Sequence, residues 1–191
     1  MKNQIVKIIN LVNKAMNNFR SNESVFSDIY TKRKWYSEEN KEKFNSGSGS
    51  DSKYAIPYVE VIAKYIKTND IKSVVDLGCG DFRVGRRLLD KVNNITYIGI
   101  DVVKELIDYN NKEYGNKNSI SFIKKDITKD SLPKAELYLV RQVFQHLSNG
   151  DISKALHNIP QSSRLIVTEH QQVDTDNIIP NIDKVRGGIF E

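Results

Sequence analysis

The chain has 191 residues, of which 39% are hydrophobic and 28% are charged, and this size and composition predict one globular domain with a substantial core. Its lone cysteine, Cys79, excludes an internal disulfide and predicts a reducing, cytoplasmic location. The net charge of +5 is too diffuse to indicate a nucleic-acid-binding face. No apolar run approaches the roughly 18 residues that a membrane span needs.

The first predicted element is an amphipathic helix over residues 3–19. Its apolar face consists of Ile5, Ile8, Ile9, Val12, Met16 and Phe19. We expect this face to pack on the helix's own domain. A partner helix, which would allow a homodimer, and a membrane-surface helix are the alternatives. The polar face is rich in asparagine rather than lysine or arginine, which argues against the membrane.

Residues 20–53 are predicted to be irregular, and they include a Ser/Gly-rich tract over residues 45–52. Such a tract is usually a flexible linker. Here, however, it leads directly into a predicted helix, Tyr54–Lys67. A glycine-rich loop that opens on a helix N-terminus offers free backbone N–H groups, which suit a carboxylate. A plain linker and a ligand-covering lid therefore remain alternatives for this segment.

The strongest signal is a turn between a predicted strand and a predicted helix. Branched apolar residues at positions 71–75 predict a buried parallel strand, and apolar residues at positions 84–89 begin a helical stripe. Open α/β sheets bind nucleotide-like ligands at such a turn. A dinucleotide loop would need a third glycine where Arg83 stands. Asp76, two residues before the first glycine of the turn, would repel a phosphate and suit a cation.

The turn reads Asp76-Leu77-Gly78-Cys79-Gly80, and this D-x-G-C-G pattern resembles the first motif of the class I S-adenosylmethionine (SAM)-dependent methyltransferases. SAM carries an ammonium group, a sulfonium group and no phosphate, which agrees with an acidic turn. The resemblance implies that four residues bind the cofactor, namely Asp76, Gly78, Cys79 and Gly80. An ordinary βα turn of another α/β protein and a nicotinamide enzyme are the alternatives.

The segment before the turn adds to this resemblance. Its Ile-Tyr pair, its tryptophan and its Ser-Gly-Ser-Gly-Ser tract, followed by a tyrosine, resemble small-molecule methyltransferases in which the upstream segment folds over the cofactor. The resemblance implies that Ser48 and Tyr54, together with Arg141 after the fourth predicted strand, bind the cofactor.

An acidic residue follows the second predicted strand, Ile95–Ile100. Asp101 lies 21 residues beyond Gly80, where α/β nucleotide-binding domains place a carboxylate that holds a ribose diol. Capping of the next helix is the structural alternative, and the two roles are compatible. If Asp101 binds the ribose, Val102 lies beside the adenine.

A second acidic residue follows the third predicted strand, Ile120–Ile123. By resemblance to the family, Asp126 accepts a hydrogen bond from the adenine amino group, and Ile127 flanks the ring. An ion pair with the neighbouring Lys125 is the structural alternative for Asp126. The series of acids at strand ends favours the binding role.

The fourth and fifth predicted strands, Glu136–Val140 and Leu165–Thr168, are each followed by a candidate general base. His146 and His170 would lie on the edge of the sheet to which the cofactor methyl group points, and a neutral imidazole accepts a proton near pH 7. The Gln-His-Leu sequence at His146 resembles small-molecule enzymes, whereas base-methylating enzymes commonly carry an Asn/Asp-Pro-Pro-aromatic motif there. Zinc-ligand spacing is absent, so no metal site is predicted.

The C-terminal part departs from the family pattern. Class I methyltransferases usually continue with a helix and two further strands, but only 21 residues follow His170. Arg186–Phe190 resembles the start of a further family segment. We therefore expect a truncated chain or a minimal variant, with consequences for substrate binding, stability or activity.

Together these signals predict a Rossmann-like α/β fold, with a mostly parallel sheet flanked by helices and an N-terminal helical extension. Within a single domain, residues 1–53 form a helix and a Ser/Gly-rich lid, and residues 54–191 bind SAM. The resemblance implies methyl transfer to a small molecule, for which a sugar or surface-glycan precursor is a candidate. A SAM-binding protein without catalysis, such as a partner subunit, and an RNA methyltransferase are the alternatives.

Overall fold

A computed structural model describes residues 20–115, 119–169, 183 and 187. The predicted helix over residues 3–19 and the candidate base His170 lie outside the described residues. The described α-helices are α1 (Asn22–Thr31), α2 (Ser52–Thr68), α3 (Arg83–Leu89), α4 (Lys104–Tyr114) and α5 (Asn149–Asn158). The described strands are β1 (Ser73–Leu77), β2 (Thr96–Asp101), β3 (Ile120–Lys124), β4 (Leu137–Arg141) and β5 (Arg164–Thr168). Two short 3-10 helices cover Ser48–Ser50 and Phe144–His146.

The five strands form one sheet in the order β3-β2-β1-β4-β5, and every neighbouring pair is parallel. The chain runs outward from β1 through β2 to β3, then returns to the other side of β1 for β4 and β5. Strand order therefore reverses between β1 and β4, and ligands of open α/β sheets bind at such a point. The predicted Rossmann-like fold class is confirmed.

Successive side chains of each strand point to opposite faces of the sheet, so the apolar core has one part on each face. Val74 in β1 and Leu139 in β4 pack with residues of α2 and α3, whereas Val75 and Tyr138 pack with residues of α5. All four side chains are fully buried. Because helices cover both faces, the central strands are continuous apolar runs in the sequence, as is typical of parallel sheets.

The segment before α2 is more ordered than its sequence predicts. Residues 20–53 were expected to be irregular, but the structure forms α1 within them. The Ser21 hydroxyl caps this helix by accepting a hydrogen bond from the Ser24 N–H at 3.1 Å, and Val25 and Ile29 are buried on its inner face. The expectation was wrong because only two fully buried apolar positions mark the helix, too few to show a periodic stripe.

A third apolar cluster joins this N-terminal segment to the sheet domain. Phe26 and Tyr30 of α1, together with Phe44, pack against Val103 and Leu106 at the start of α4. The segment therefore lies against the element that follows the carboxyl end of β2. None of the helices in the described part of the chain is long and apolar enough to cross a membrane.

Candidate functional site

A cavity lies at the carboxyl ends of β1, β2 and β4, between the sheet and the segment that contains α1. Most of the predicted site residues line it, namely Asp76, Gly78, Cys79, Gly80, Asp101, Val102, Asp126, Ile127, Arg141 and His146. The structure thus brings together residues that the sequence places up to 70 positions apart. Their meeting follows from the parallel sheet, because the carboxyl ends of its strands share one edge.

Two predicted residues lie elsewhere. Tyr54 is 51% exposed, and the ammonium group of Lys53 lies 5.1 Å from the centre of its ring. Tyr58, one helical turn later, lines the cavity in its place. Ser48 is exposed, whereas its neighbours Ser46 and Ser50 line the cavity. In both cases a neighbouring residue of the same element lines the cavity.

The glycine turn requires residues without a side chain. Gly78 and Gly80 have φ angles of +78° and +54°, in the left-handed region that other residues rarely adopt. A Cβ atom at Gly80 would lie 2.4 Å from the Ser46 hydroxyl oxygen, and one at Gly78 would lie 2.4 Å from a methyl group of Val143. Both glycines therefore allow the segments on either side to approach the turn closely.

Asp76, at the end of β1, is a carboxylate in a low-dielectric setting. Its Oδ2 atom accepts a hydrogen bond of 2.5 Å from the Tyr97 hydroxyl. Burial raises the pKa of Asp76 to about 6, against the opposing effects of that hydrogen bond and of the positive charge on Arg141. The Arg141 guanidinium in turn lies 5.1 Å from the centre of the Tyr58 ring. A cationic ligand would stabilise the charged form of Asp76.

Asp101, at the end of β2, accepts two backbone hydrogen bonds. The Gly80 N–H donates to Oδ2 at 3.2 Å, and the Val103 N–H donates to Oδ1 at 3.1 Å. Burial nevertheless raises the pKa of Asp101 to about 6. Val103, not Asp101, occupies the N-cap position of α4. Asp101 thus fastens the glycine turn to the start of α4 while it lines the cavity.

Asp126 is held differently from the other two acids. It accepts hydrogen bonds from Asn22 Nδ2 at 3.1 Å and from the Thr128 hydroxyl at 2.7 Å. Although burial opposes this, the bonds from Thr128 and Asn22 hold the pKa of Asp126 below its usual value. The ion pair with Lys125 was the structural alternative for Asp126; the ion pair that Asp126 makes is with Lys129, at 3.5 Å. Asn22, in α1, therefore contacts a residue that the sequence places in the adenine site.

His146 lies in an aromatic part of the cavity. Its ring centre is 4.9 Å from that of Trp35, and Phe26 also lines this part. Gln145 Nε2 lies 3.2 Å from His146 Nε2, and an amide donor there favours the neutral ring with Nε2 as acceptor. Glu169, the residue after β5, fixes the short helix Phe144–His146. Its carboxylate accepts hydrogen bonds from three consecutive backbone N–H groups, those of residues 143–145.

Three arginines hold the loop over residues 46–50, which we name the strap. Arg83, Arg141 and Arg87 donate to the carbonyl oxygens of Gly47, Gly49 and Ser50 at 3.0, 2.7 and 3.2 Å. The Ser46 N–H donates to Asp81 at 2.9 Å, which ties the strap to the glycine turn. Arg83, at the position of the missing third glycine, thus binds the strap, and it does not line the cavity.

Arg83 is part of a buried ionic network. Its guanidinium contacts Asp81 at 3.0 Å and Asp51 at 3.2 Å, and its side chain is only 6% exposed. Asn40 Nδ2 also donates to Asp81, at 2.9 Å. The strap and the glycine turn therefore form one hydrogen-bonded unit.

The reactive side chains have a limited range of chemistry. Burial raises the pKa of the Cys79 thiol well above its ordinary value, so the thiol is a poor nucleophile. Within the described ranges, no group of three or more histidine, cysteine, aspartate or glutamate residues could hold a metal ion. The site therefore offers carboxylates, an imidazole and a guanidinium, which suit cation binding and proton transfer.

Several residues of the site were not predicted from the sequence. They are Asn22, Tyr58 and Gln142 at the cavity wall, and Tyr97 and Glu169 behind it. The spacing of Tyr58 from the buried residues of α2 could have revealed its position. The other contacts join segments that are far apart in the chain, and no local pattern signals them.

Comparison with known proteins points to one family. Residues 74–164 match the family model described as a methyltransferase domain. O-methyltransferase 2 of Dictyostelium discoideum is 26% identical over 153 residues, which are 78% of this chain and 44% of that protein. The chain thus spans less than half the length of this curated relative.

Two solved structures share the fold. One is the methyltransferase domain of bacterial CtHen1, with 19% identity and a TM-score of 0.50 over 58% of this chain and 63% of that chain. The other is the cyclase SpnF, with 20% identity and a TM-score of 0.52 over 69% of this chain and 52% of that chain. At these identities the likeness concerns the fold alone.

Proposed function

We propose that this chain, a SAM-dependent methyltransferase by its domain at residues 74–164, transfers a methyl group to a hydroxyl group of a small molecule. The observation that carries the proposal is the convergence of Asp76, Asp101 and His146 on one cavity beside the glycine turn. The first two are carboxylates that suit a ligand with a cationic group and a diol. The third is a base beside an apolar wall that suits an acceptor.

The buried acids fit the cofactor. Two carboxylates whose pKa values burial raises to about 6 gain from a ligand that brings a positive charge and hydroxyl donors. Asp76 would bind the ammonium group of SAM, Asp101 the ribose hydroxyls and Arg141 the carboxylate. Val102 and Ile127 would flank the adenine, and Asp126 with Asn22 would meet its polar edge. We further propose that the strap covers the bound cofactor.

The part of the cavity around His146 supports methylation of a hydroxyl group. When bound, SAM supplies an electrophilic methyl group, and methyl transfer forms an acceptor O–CH₃ bond as the S–CH₃ bond breaks. The neutral His146 ring accepts the hydroxyl proton as the Gln145 amide gives up its hydrogen bond to Nε2, so that S-adenosylhomocysteine (SAH), a methyl ether and a protonated imidazole result. Trp35 and Phe26 hold a flat face of the acceptor against the base and exclude water. The name of the Dictyostelium relative, an O-methyltransferase, agrees with a hydroxyl acceptor.

The test begins with binding and proceeds to transfer. Calorimetry should show binding of SAM and SAH and no binding of NAD. Tight NAD binding without a response to SAM would contradict the proposal. Because the cyclase SpnF shares the fold, binding alone does not establish methyl transfer.

The transfer assay uses radiolabelled SAM with a panel of phenols, sugars, surface-glycan precursors and RNA. We expect labelling of a hydroxyl compound and loss of roughly 10²- to 10⁴-fold in kcat for His146→Asn, with SAM affinity almost unchanged. Binding without labelling of any acceptor would instead favour a non-catalytic SAM-binding subunit. Labelling of RNA with strong salt dependence would favour the RNA methyltransferase alternative.

A further inference from the structure

Tyr97 in β2 has a buried hydroxyl group aimed at the cofactor side of the sheet. The residue is fully buried, and its ring packs on Phe82 and Phe122 with centre distances of 5.4 and 6.3 Å. Its hydroxyl group donates a hydrogen bond of 2.5 Å to Asp76 Oδ2. A phenylalanine would fill the same apolar space, so packing alone does not explain the hydroxyl group.

Gly85 in α3 leaves room for that hydroxyl group. A Cβ atom at Gly85 would lie 2.5 Å from the Tyr97 hydroxyl oxygen and 2.7 Å from the Phe82 ring. Gly85 has an ordinary helical backbone, for which glycine is a poor choice compared with alanine. The absent side chain therefore serves the close approach of Tyr97 rather than an unusual backbone.

We propose that Tyr97 is a positioning residue of the cofactor site, whose hydroxyl group orients Asp76 and keeps it charged for the ammonium group of SAM. The inference rests on the proposed function, because that function supplies the ammonium group. The Tyr97 hydroxyl group donates to Asp76, and Tyr97 does not line the cavity, so it acts through Asp76. The bond directs one carboxylate oxygen toward β2, which fixes the plane of the carboxylate.

The charge of Asp76 depends on the groups that surround it. Arg141 faces it from β4, Tyr58 from α2, Cys79 from the glycine turn and Asp101 from the end of β2. The pKa of Asp76 is raised to about 6 as the net of four effects: burial and Asp101 raise it, and the Tyr97 hydrogen bond and Arg141 lower it. Without the Tyr97 hydroxyl group the pKa would rise toward neutrality. The protonated carboxyl group would then bind a cation poorly.

The experiment measures SAH affinity from about pH 5 to about pH 9 by calorimetry, since SAH retains the ammonium group. For the natural protein we expect affinity to weaken below about pH 6, where Asp76 becomes protonated. In Tyr97→Phe this loss should begin roughly one pH unit or more higher, and affinity should recover at the alkaline end. An equal loss of affinity at every pH would show a merely structural role and overturn the proposal.

Three further variants make the test specific. Tyr138→Phe removes the hydroxyl group of another fully buried strand tyrosine, which donates to the Pro133 carbonyl, and should leave the pH profile unchanged. Gly85→Ala keeps Tyr97 but crowds its hydroxyl group, and should shift the profile in the same direction as Tyr97→Phe. In an Asp76→Asn background, Tyr97→Phe should have no further effect on the profile. A full effect of Tyr97→Phe in that background would refute action through Asp76.

A readout without cofactor separates this inference from the proposed function. The Asp76 carboxyl carbon, assigned through Asp76→Asn, is titrated by NMR in the ligand-free protein and in ligand-free Tyr97→Phe. A higher pKa in the variant together with no SAH binding by either protein would retain the Tyr97–Asp76 coupling and refute the proposed function. An unchanged Asp76 pKa would overturn the inference even if SAH binds.

Discussion

At the scale of single residues, Asp101 combines a structural contact and a proposed binding contact. Its carboxylate accepts the Gly80 and Val103 N–H groups, so Asp101→Ala would leave both amides without a partner. Asp101→Asn keeps an acceptor oxygen and the side-chain shape, and removes the charge that a ribose diol would use. The asparagine variant therefore keeps one of the two backbone hydrogen bonds, whereas the alanine variant keeps neither. Discrimination against a 2′-deoxy ligand then reports the binding contact.

We expect Asp101→Asn to weaken SAH binding by about ten- to a hundredfold, because a hydrogen bond to a charged group contributes roughly 1.5–3 kcal/mol. Calorimetry with SAH and with its 2′-deoxy analogue measures the effect. The natural protein should discriminate between the two ligands, and the variant should lose that discrimination. Equal SAH affinity in a folded variant would leave Asp101 with the structural contact only.

The site residues that the sequence could predict are those at the ends of strands. Asp76, Asp101 and Asp126 follow apolar runs, and a parallel sheet brings such positions to one edge whatever the details of packing. Tyr97 could not be predicted, because its role depends on the clearance left by Gly85 in another element. Ser48 lies on the exposed side of its turn, and residues 45–52 have no periodic pattern that distinguishes inner from outer positions.

At the scale of secondary-structure elements, the strands were predictable and the N-terminal segment was not. The sheet is buried on both faces, so each strand appears in the sequence as an apolar run with clear ends. One serine cap and two buried apolar side chains are the local features that mark helix α1, and they are a weak signal for a helix in the sequence. Its position is set by the aromatic contacts of Phe26 and Tyr30, which are contacts with distant parts of the chain.

Arg83, which holds the strap, is the residue whose removal we expect to affect both stability and SAH binding. Arg83→Ala should lower the free energy of unfolding by about 3–5 kcal/mol, because it leaves the 3%-exposed Asp81 without its cation. It should also weaken SAH binding, since the Gly47 carbonyl loses its anchor. Urea denaturation and calorimetry measure the two effects.

Arg86→Ala is the matched control in the same helix. The Arg86 side chain is 49% exposed, and its guanidinium lies 3.6 Å from Glu42. Removal of such a surface pair should change stability by no more than about 1 kcal/mol and leave SAH binding unaltered. Similar losses in the two variants would mean that the removal of either arginine side chain from this helix, rather than the loss of the buried network, determines the result.

At the scale of the whole molecule, the order of the strands determines where the site lies. The reversal between β1 and β4 places the glycine turn, Asp76 and Arg141 side by side, and α1 closes the cavity from the outside. The fold class that the D-x-G-C-G pattern implied is confirmed by the parallel sheet, and the match of residues 74–164 to a methyltransferase domain agrees with the family that the pattern resembles. The acceptor is not readable in the same way, because side chains from separate segments form its wall.

The same arrangement makes the stability of the molecule depend on pH. Burial raises the pKa values of Asp76 and Asp101 from 3.8 to about 6, so the folded state binds these protons more tightly than the unfolded state does. The corresponding stabilisation is fully present below about pH 4 and is lost as the pH rises through about 6. Near neutral pH the ligand-free protein therefore carries two destabilising charges that a cationic, diol-containing cofactor would satisfy.

Asp76→Asn should consequently stabilise the ligand-free protein near pH 7.5, by up to about 3 kcal/mol, and by only about 1 kcal/mol near pH 4.5. With saturating SAH the order should reverse, because the natural protein gains the ammonium contact that the variant lacks. Thermal or urea unfolding at the two pH values, with and without SAH, measures both changes.

Asp28→Asn is the control of opposite sign. The hydrogen bond from Lys32 lowers the pKa of Asp28, so removal of this carboxylate should destabilise the protein near neutral pH. If Asp76→Asn destabilises the ligand-free protein at pH 7.5, Asp76 is a structural acceptor for Tyr97 rather than a charge held ready for the cofactor.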